Sequence, residues 1–296
     1  MINTNKPKTI IVSSLLLGSL LFVGGFMTWW RGVYSSPQRT FQRMLNNSLS
    51  TSSVSRSQLS SSEGVDTRQT TILQTFPEVI VKDSKSVTSE TPKTNIVTDS
   101  VGRIDEEYTK YSSIQTDQKD EEGNPVDFKN AINVWSRTDN EELPEDGDLA
   151  MSGILGAIPV AQLSESDRSE LIDLINKSNA YEVNYSSVKR EIINGRPHYT
   201  YSVKLNLAAY VGVLKQFSAN VGIKQLDNVE PSEYESSPPV DFLFGVDVWS
   251  GNLVSLESLQ NSAIQRFGSY GIRTNITVPK DAITSTELQE RLRPSN

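Results

Sequence analysis

Cysteine is absent from the 296 residues, and histidine occurs once, at position 198. Without a thiol these residues form no disulfide, hold no thiolate-bound zinc and carry no lipid-modified cysteine. One imidazole is too few for a His-based metal site. His198 would have to serve alone in any triad, and it stands beside Pro197 at what reads as an exposed strand start. No Gly-x-Ser-x-Gly elbow, Gly-x-Gly-x-x-Gly loop or Walker pattern occurs, and no segment repeats at a fixed period. The chain is therefore read as non-enzymatic, with no metal and no cofactor.

Charge is also missing over one long stretch. Thr9 to Trp30 (TIIVSSLLLGSLLFVGGFMTWW) holds 22 residues without a charged side chain, between Lys8 and Arg31. About 20 apolar residues span the hydrocarbon core of a bilayer as a helix. Trp29, Trp30 and Tyr34 fall where amphipathic rings favour the headgroup level. A cleaved signal has a shorter apolar region and ends in small-x-small, whereas this run ends in Phe26-Met27-Thr28-Trp29-Trp30. A retained signal-anchor is expected: residues 1–8 as a short cytoplasmic tail, 9–30 as the transmembrane helix. The Lys and Arg flanking the run are nearly balanced. The size of the segment beyond Arg31 sets the expected orientation, with the large domain outside the cytoplasm and the protein a single-pass resident of the cell membrane.

Two of the 28 Lys and Arg, Lys6 and Lys8, precede the run. That leaves 26 against 36 Asp and Glu, a net charge of −10 beyond the membrane. Such a domain repels phosphate backbones, so nucleic acid is not an expected partner.

Beyond Arg31, residues 31–65 read as a helix and a Ser-rich connection, residues 66–292 as the extracytoplasmic domain and 293–296 as a tail. Phe41, Met44, Leu45 and Leu49 recur at helical spacing behind Pro37. Thr51 to Ser62 reads as linker or edge strand. From Asp66 short β-rich runs succeed one another: Thr70–Phe76, Val79–Val81, Ser86–Thr88, Asn95–Thr98 and Tyr108–Thr116, an antiparallel meander with one wet face. Acidic loops at 117–127 and 139–148 fail the ligand spacing of an EF-hand, so they read as solvated turns. Ser164 caps a helix through about Lys177.

Tyr181–Ile193 and His198–Leu207 flank Asn194-Gly195, the dipeptide suited to a type I′ turn. Ala208 to Gly222 reads as a helix with Tyr210, Val213, Leu214 and Phe217 inward. Val240–Trp249, Leu253–Leu259 and Ala263–Thr274 read as strands, and Ser285–Leu292 as a short last helix. Strict alternation predicts one buried sheet face carrying Tyr199, Tyr201, Val203, Phe242, Phe244 and Val246, packed against Tyr210 and Phe217 of the 208–222 helix. That face is the candidate core or ligand cavity. Paired acids such as Asp241 with Asp247, or Asp105-Glu106-Glu107, read as solvated charges.

The strand–turn–strand–helix at 195–217, the run Phe244-Gly245-Val246-Asp247-Val248-Trp249-Ser250-Gly251-Asn252-Leu253-Val254, and the closing Phe267-Gly268-Ser269-Tyr270-Gly271 with Val278-Pro279 together resemble the bacterial LolA-type and LppX/LprG-type carriers. The resemblance implies an α+β fold: a curved antiparallel half-barrel packed around helices, enclosing an apolar cavity for acyl chains. Two features depart from that family, the proteinaceous anchor and the polar early strands. The sequence reading is thus a cell-envelope scaffold or protein-interaction domain with a possible envelope protein partner. Binding or carriage of a lipid or other apolar ligand in the half-barrel cavity is the alternative.

Overall fold

The structure, a computed structural model, describes residues 35–104, 106–119, 123–139, 149–260 and 263–293. The expected tail and anchor at 1–30, with Trp29, Trp30 and Tyr34, and residues 140–148 of the second acidic loop lie outside the described residues. Among the described residues no helix is long and apolar enough to cross a membrane.

Helix α1 (Pro37–Ser48) forms where the spacing predicts it. Pro37 sits in its first turn, and Thr40, Phe41, Met44, Leu45 and Ser48 make its buried stripe. A meander comes next: β1 (Ser53–Ser62), β2 (Val65–Gln74), β3 (Ile80–Glu90), β4 (Lys93–Gly102), β5 (Glu106–Thr116) and the short β6 (Ser136–Asp139). The two short runs at 79–81 and 86–88 are one continuous strand, β3, because β2 and β4 pair with it along its whole length. The Ser-rich stretch expected as linker or edge strand is an interior strand, and the sheet begins at Ser53 rather than Asp66. Its partner on one side is β2. On the other side is β12 (Ile264–Gly268), and the Gln265–Gln58 side-chain bond between them spans 207 residues of sequence. Serine disfavours strands locally, and a ladder completed from so far away overrides that preference.

Helix α2 (Leu149–Ile154) and helix α3 (Glu165–Ser178) come after β6. The Ser164 hydroxyl accepts from Asp167 N at 3.2 Å to start α3, and Asn179 in the left-handed region ends it. The expected strand 181–193 is broken into β7 (Tyr181–Val183) and β8 (Lys189–Ile193). A 3₁₀ turn at Tyr185–Ser187 separates them, its N-cap Asn184 accepting from Ser186 N. β8 and β9 (Arg196–Leu205) form the expected hairpin, with Asn194 and Gly195 at φ of 52° and 76°. Helix α4 (Leu207–Val221) ends at Gly222, φ 78°. Strands β10 (Val240–Asp247) and β11 (Leu253–Ser258) lead to β12. β13 (Ile283–Thr284) and α5 (Ser285–Leu292), opened by a Thr284–Glu287 capping box, close the chain.

Among the described residues all 13 strands join one sheet in the order β13-β6-β5-β4-β3-β2-β1-β12-β11-β10-β9-β7, with β8 also on β9. Every pairing is antiparallel except β13 with β6. The sheet is curved and unclosed, a half-barrel carrying helices on its inner face. Its buried core is continuous from Val54, Leu73 and Val81 on the meander, through Phe41, Met44 and Leu45 of α1, to Tyr201, Phe244 and Phe217.

The expected strand 263–274 stops at Gly268. Residues 269–282 instead cross the outer face from β12 to β6. Gly271 N donates to Ser53 O at 2.9 Å, the Ser53 hydroxyl donates to Ile272 O at 2.7 Å, and Ile283 N donates to Trp135 O at 2.9 Å. Ile276 and Val278 cover a second cluster, Ile80, Val101 and Tyr108, beside Trp135. Pro279 supplies no amide hydrogen for continued pairing, which suits a crossing segment better than a strand.

Candidate functional site

The aromatic face predicted from alternation is present. Register places Val203 opposite Phe242, Tyr201 opposite Phe244 and Tyr199 opposite Val246, so all six residues share the inner face. Tyr199, Tyr201, Val203, Phe244 and Val246 are buried and Phe242 is half-buried. Tyr210 and Phe217 of α4 belong to the same core, but the helix that meets the rings most directly is α1. Phe41 stacks on Phe244 at 6.2 Å and meets Tyr201 edge-on at 5.4 Å, while α4 reaches the cluster through Tyr210 against Tyr181. This end of the half-barrel is filled by its own side chains.

Four tyrosines on and beside this face bind backbone carbonyls of the segments that cover it. Tyr199 donates to Ser35 O at 2.7 Å and Tyr201 to Pro37 O at 2.8 Å, pinning the start of α1. Tyr181 donates to Ala157 O at 2.8 Å and Tyr210 donates to Gly156 O, pinning the segment after α2. Burial pushes the Tyr181, Tyr201 and Tyr210 hydroxyls well above their ordinary value, so all three remain protonated donors.

Further along the meander the same face changes character. Following register from β1 to β4, the innermost row is Val54, Leu73, Val81 and Gly102. The next is Arg56, Thr71, Asp83 and Ser100, and beyond it stand Gln58, Gln69, Lys85 and Thr98. The face grades from apolar to charged to polar within three rows. Asp83, buried, accepts from the Thr71 hydroxyl at 2.7 Å and from Gln69 Nε2 at 3.0 Å. Burial pulls the Arg56 guanidinium down from its ordinary value, opposed by the Asp83 charge. Glu107 is pushed up by burial while accepting from Leu149 N, 3.3 Å away, at the start of α2.

Residues 153–160 lie over this gradient. α2 sits close to the sheet because its contacts are small: a Cβ on Gly153 would stand 2.8 Å from Val81 Cγ2, and one on Gly102 3.0 Å from Leu149 Cβ. Between Gly153, Gly156, Ala157, Ile158 and Val160 above and Val54, Leu73, Leu256 and Phe267 below lies a pocket with Arg56, Thr71 and Gln265 at its edge. Its volume is about 20 Å³, room for roughly one water. Sequence reasoning missed this segment: its glycines and the lone Arg56 are unremarkable until the sheet brings them together. A larger space of about 660 Å³ is an open, Ser- and Thr-lined groove bounded mainly by outer-face residues between Leu59, Arg68, Ser86 and Asn95.

His198, expected at the surface, is 8% exposed. Its Nδ1 lies 3.0 Å from Arg196 O and its Nε2 3.7 Å from Asp247. Pairing with both β8 and β10 makes this position interior to the sheet, which the adjacent turn had obscured. Asp247 is saturated: Arg196 donates through Nε at 2.5 Å and Nη2 at 3.0 Å. Trp249 N, Ser250 N and the Ser250 hydroxyl also donate to it. Those donors outweigh burial and hold its pKa at about 2, far too low for a base near neutrality. Asp241 lies six residues earlier on β10, roughly 20 Å along the strand, so the two acids do not converge. Glu106 and Glu107 point to opposite faces, and Asp105 lies outside the described residues. Among the described residues no three His, Asp or Glu gather as metal ligands.

No family model matches the chain, and no curated protein matches its sequence. Among solved structures it is similar at the level of fold to LprF from Mycobacterium bovis. The identity is 11%, the TM-score 0.44, and the match covers 82% of this chain and 96% of that one. A porin-like protein from Bacteroides uniformis is more distant, at 8% identity and a TM-score of 0.20, covering 75% of this chain and 97% of that one.

Proposed function

We propose that this chain is a non-enzymatic binding module of the cell envelope, tethered by residues 9–30, that takes an amphipathic chain between its sheet and the segment 153–160. One observation carries the reading. The inner face grades from Val54, Leu73 and Val81 through Arg56 and Asp83 to Gln58 and Lys85, and a glycine-containing segment covers the junction. An aliphatic tail is stabilised by the apolar rows, and an anionic head by the desolvated guanidinium of Arg56, which the Asp83 charge only partly offsets. The closed pocket of about 20 Å³ cannot hold such a tail, so binding requires the 153–160 segment to lift from β2 and β3. A filled scaffold is the second reading, and the same small volume favours it.

Organic extraction of the purified chain, followed by mass spectrometry, separates the two. The binding reading expects a stoichiometric anionic amphiphile, with less of it recovered from Arg56→Glu. A native chain that repeatedly yields none is a scaffold.

A further inference from the structure

The hairpin tip of β8–β9 and the β10–β11 turn lie at one end of the half-barrel, and that end is unlike the rest of an acidic domain. Ile192 and Ile193, 67% and 48% exposed, pair with Pro197 and Arg196 beside the Asn194-Gly195 tip. Trp249, 49% exposed, adjoins them, because Val248 N donates to Pro197 O at 2.9 Å and the Arg196 guanidinium lies 5.3 Å from the Trp249 ring. Lys189 and Arg190 are exposed on the same hairpin with one acid, Glu191, next to them, while Arg196 is paired with Asp247. Arg39 is exposed on α1, whose Arg43 donates to Val248 O at 2.8 Å.

The chain enters the domain at this end. Ser35 O is bonded by the Tyr199 hydroxyl, and Tyr199 stands opposite Arg190. The uncharged run ends at Trp30, and five extended residues reach at most about 18 Å. If residues 9–30 cross the bilayer, the bilayer surface is within that distance of Ser35, which Tyr199 of the hairpin holds.

We propose that this end seats on the membrane surface, with Ile193 and Trp249 entering the headgroup layer and Arg39 and Arg190 facing anionic lipid. An indole and a branched aliphatic chain beside cationic groups are what an interfacial contact requires. The tether holds the domain at high effective concentration, so a patch this small suffices. Docking of this kind rests on the anchor reading of residues 9–30 and not on the pocket.

The absence of native cysteine supplies the test. The full chain carrying Ile193→Cys, labelled with an environment-sensitive fluorophore, is reconstituted into vesicles of phosphatidylcholine and phosphatidylglycerol. The same label at Leu259→Cys, in the turn at the opposite end of the sheet, is the reference. Docking predicts blue-shifted emission and quenching by spin-labelled lipid at 193 and neither at 259. Arg190→Glu weakens the docked state by about fivefold or more, since each basic side chain near an anionic surface contributes about that factor. A chain that floats with the vesicles while both labels report water overturns the docking. Equal signals in vesicles of phosphatidylcholine alone overturn the anionic partner. A chain that does not float overturns the anchor reading instead.

Discussion

Replacing Phe244 with alanine tests whether the aromatic end of the half-barrel is packed core. The side chain is 0% exposed; Phe41 stacks on it at 6.2 Å with an interplanar angle of 8°, Tyr181 meets it at 6.1 Å and Phe242 at 6.0 Å. Burial of a phenylalanine is worth about 1.5–3 kcal/mol, and the cavity left behind raises the usual cost of Phe→Ala to about 3–5 kcal/mol. Three ring partners, each adding about 0.5–1.5 kcal/mol, place this site in the upper part of that range, about 4–5 kcal/mol. The surroundings cannot collapse to recover it, because Phe41 is held by α1, whose start is fixed by the Tyr199 and Tyr201 hydroxyls. For a domain of this size each kcal/mol lowers Tm by about 2–4 °C, so a fall of roughly 8–20 °C is expected. Urea unfolding should show a lower midpoint with an unchanged slope. Leu259→Ala, at a side chain 51% exposed, is the control and should stay within about 0.5 kcal/mol of the native chain. A Phe244→Ala loss below about 1 kcal/mol would show that the face borders open space, and the packing argument would fall.

Asp247 makes stability depend on acid. Its folded pKa of about 2 lies below its ordinary 3.8, so its contribution is complete above 3.8 and is lost as pH falls towards 2. That difference corresponds to roughly 2 kcal/mol, and Asp247→Asn should flatten the pH dependence of Tm in this window. Tyr210→Phe removes the hydroxyl that holds Gly156 O; amide hydrogen exchange at 155–160 should rise, with a global loss of about 1–3 kcal/mol. Exchange unchanged there would mean that the tyrosines do not hold the covering segment down. Gly195 and Gly251 both have positive φ, but a Cβ on Gly251 would stand 3.0 Å from Arg43 Cβ while one on Gly195 meets nothing. Gly195→Ala should therefore cost about 1–2 kcal/mol in chemical denaturation and Gly251→Ala measurably more. Equal losses would refute the close approach of the turn to α1.

Local signals in the sequence were strong where one element is set by its own residues. Pro37 with the Phe41, Met44 and Leu45 stripe, Asn194-Gly195 between alternating strands, and Gly222 after α4 each fix a backbone preference within a few residues. The alternation of Tyr199, Tyr201 and Val203 likewise identified the buried face before any partner strand was known. The same reasoning failed at β1, at His198 and at 269–282, where the deciding partner is remote. β12 makes Ser53–Ser62 interior, β8 and β10 enclose His198, and β6 draws the C-terminal segment across the outer face. The resemblance to half-barrel carriers led to an open apolar cavity as the implied feature, and the structure puts α1 and the 153–160 segment in that space.

The sequence by itself determined the uncharged run at 9–30, the absence of thiol chemistry, the acidic balance of the domain and which residues of β9 and β10 face inward. These come from composition and from period, which are properties of a chain before it folds. Tertiary structure alone decided that Arg56 and Asp83 share one face with the Val54 row beneath 153–160, that Asp247 is saturated by donors from three other residues, and that Tyr199 of the hairpin holds Ser35 at the start of α1. Such neighbours are joined by register and by loops that cross the sheet, and register depends on pairings between segments far apart in sequence, which no local pattern encodes.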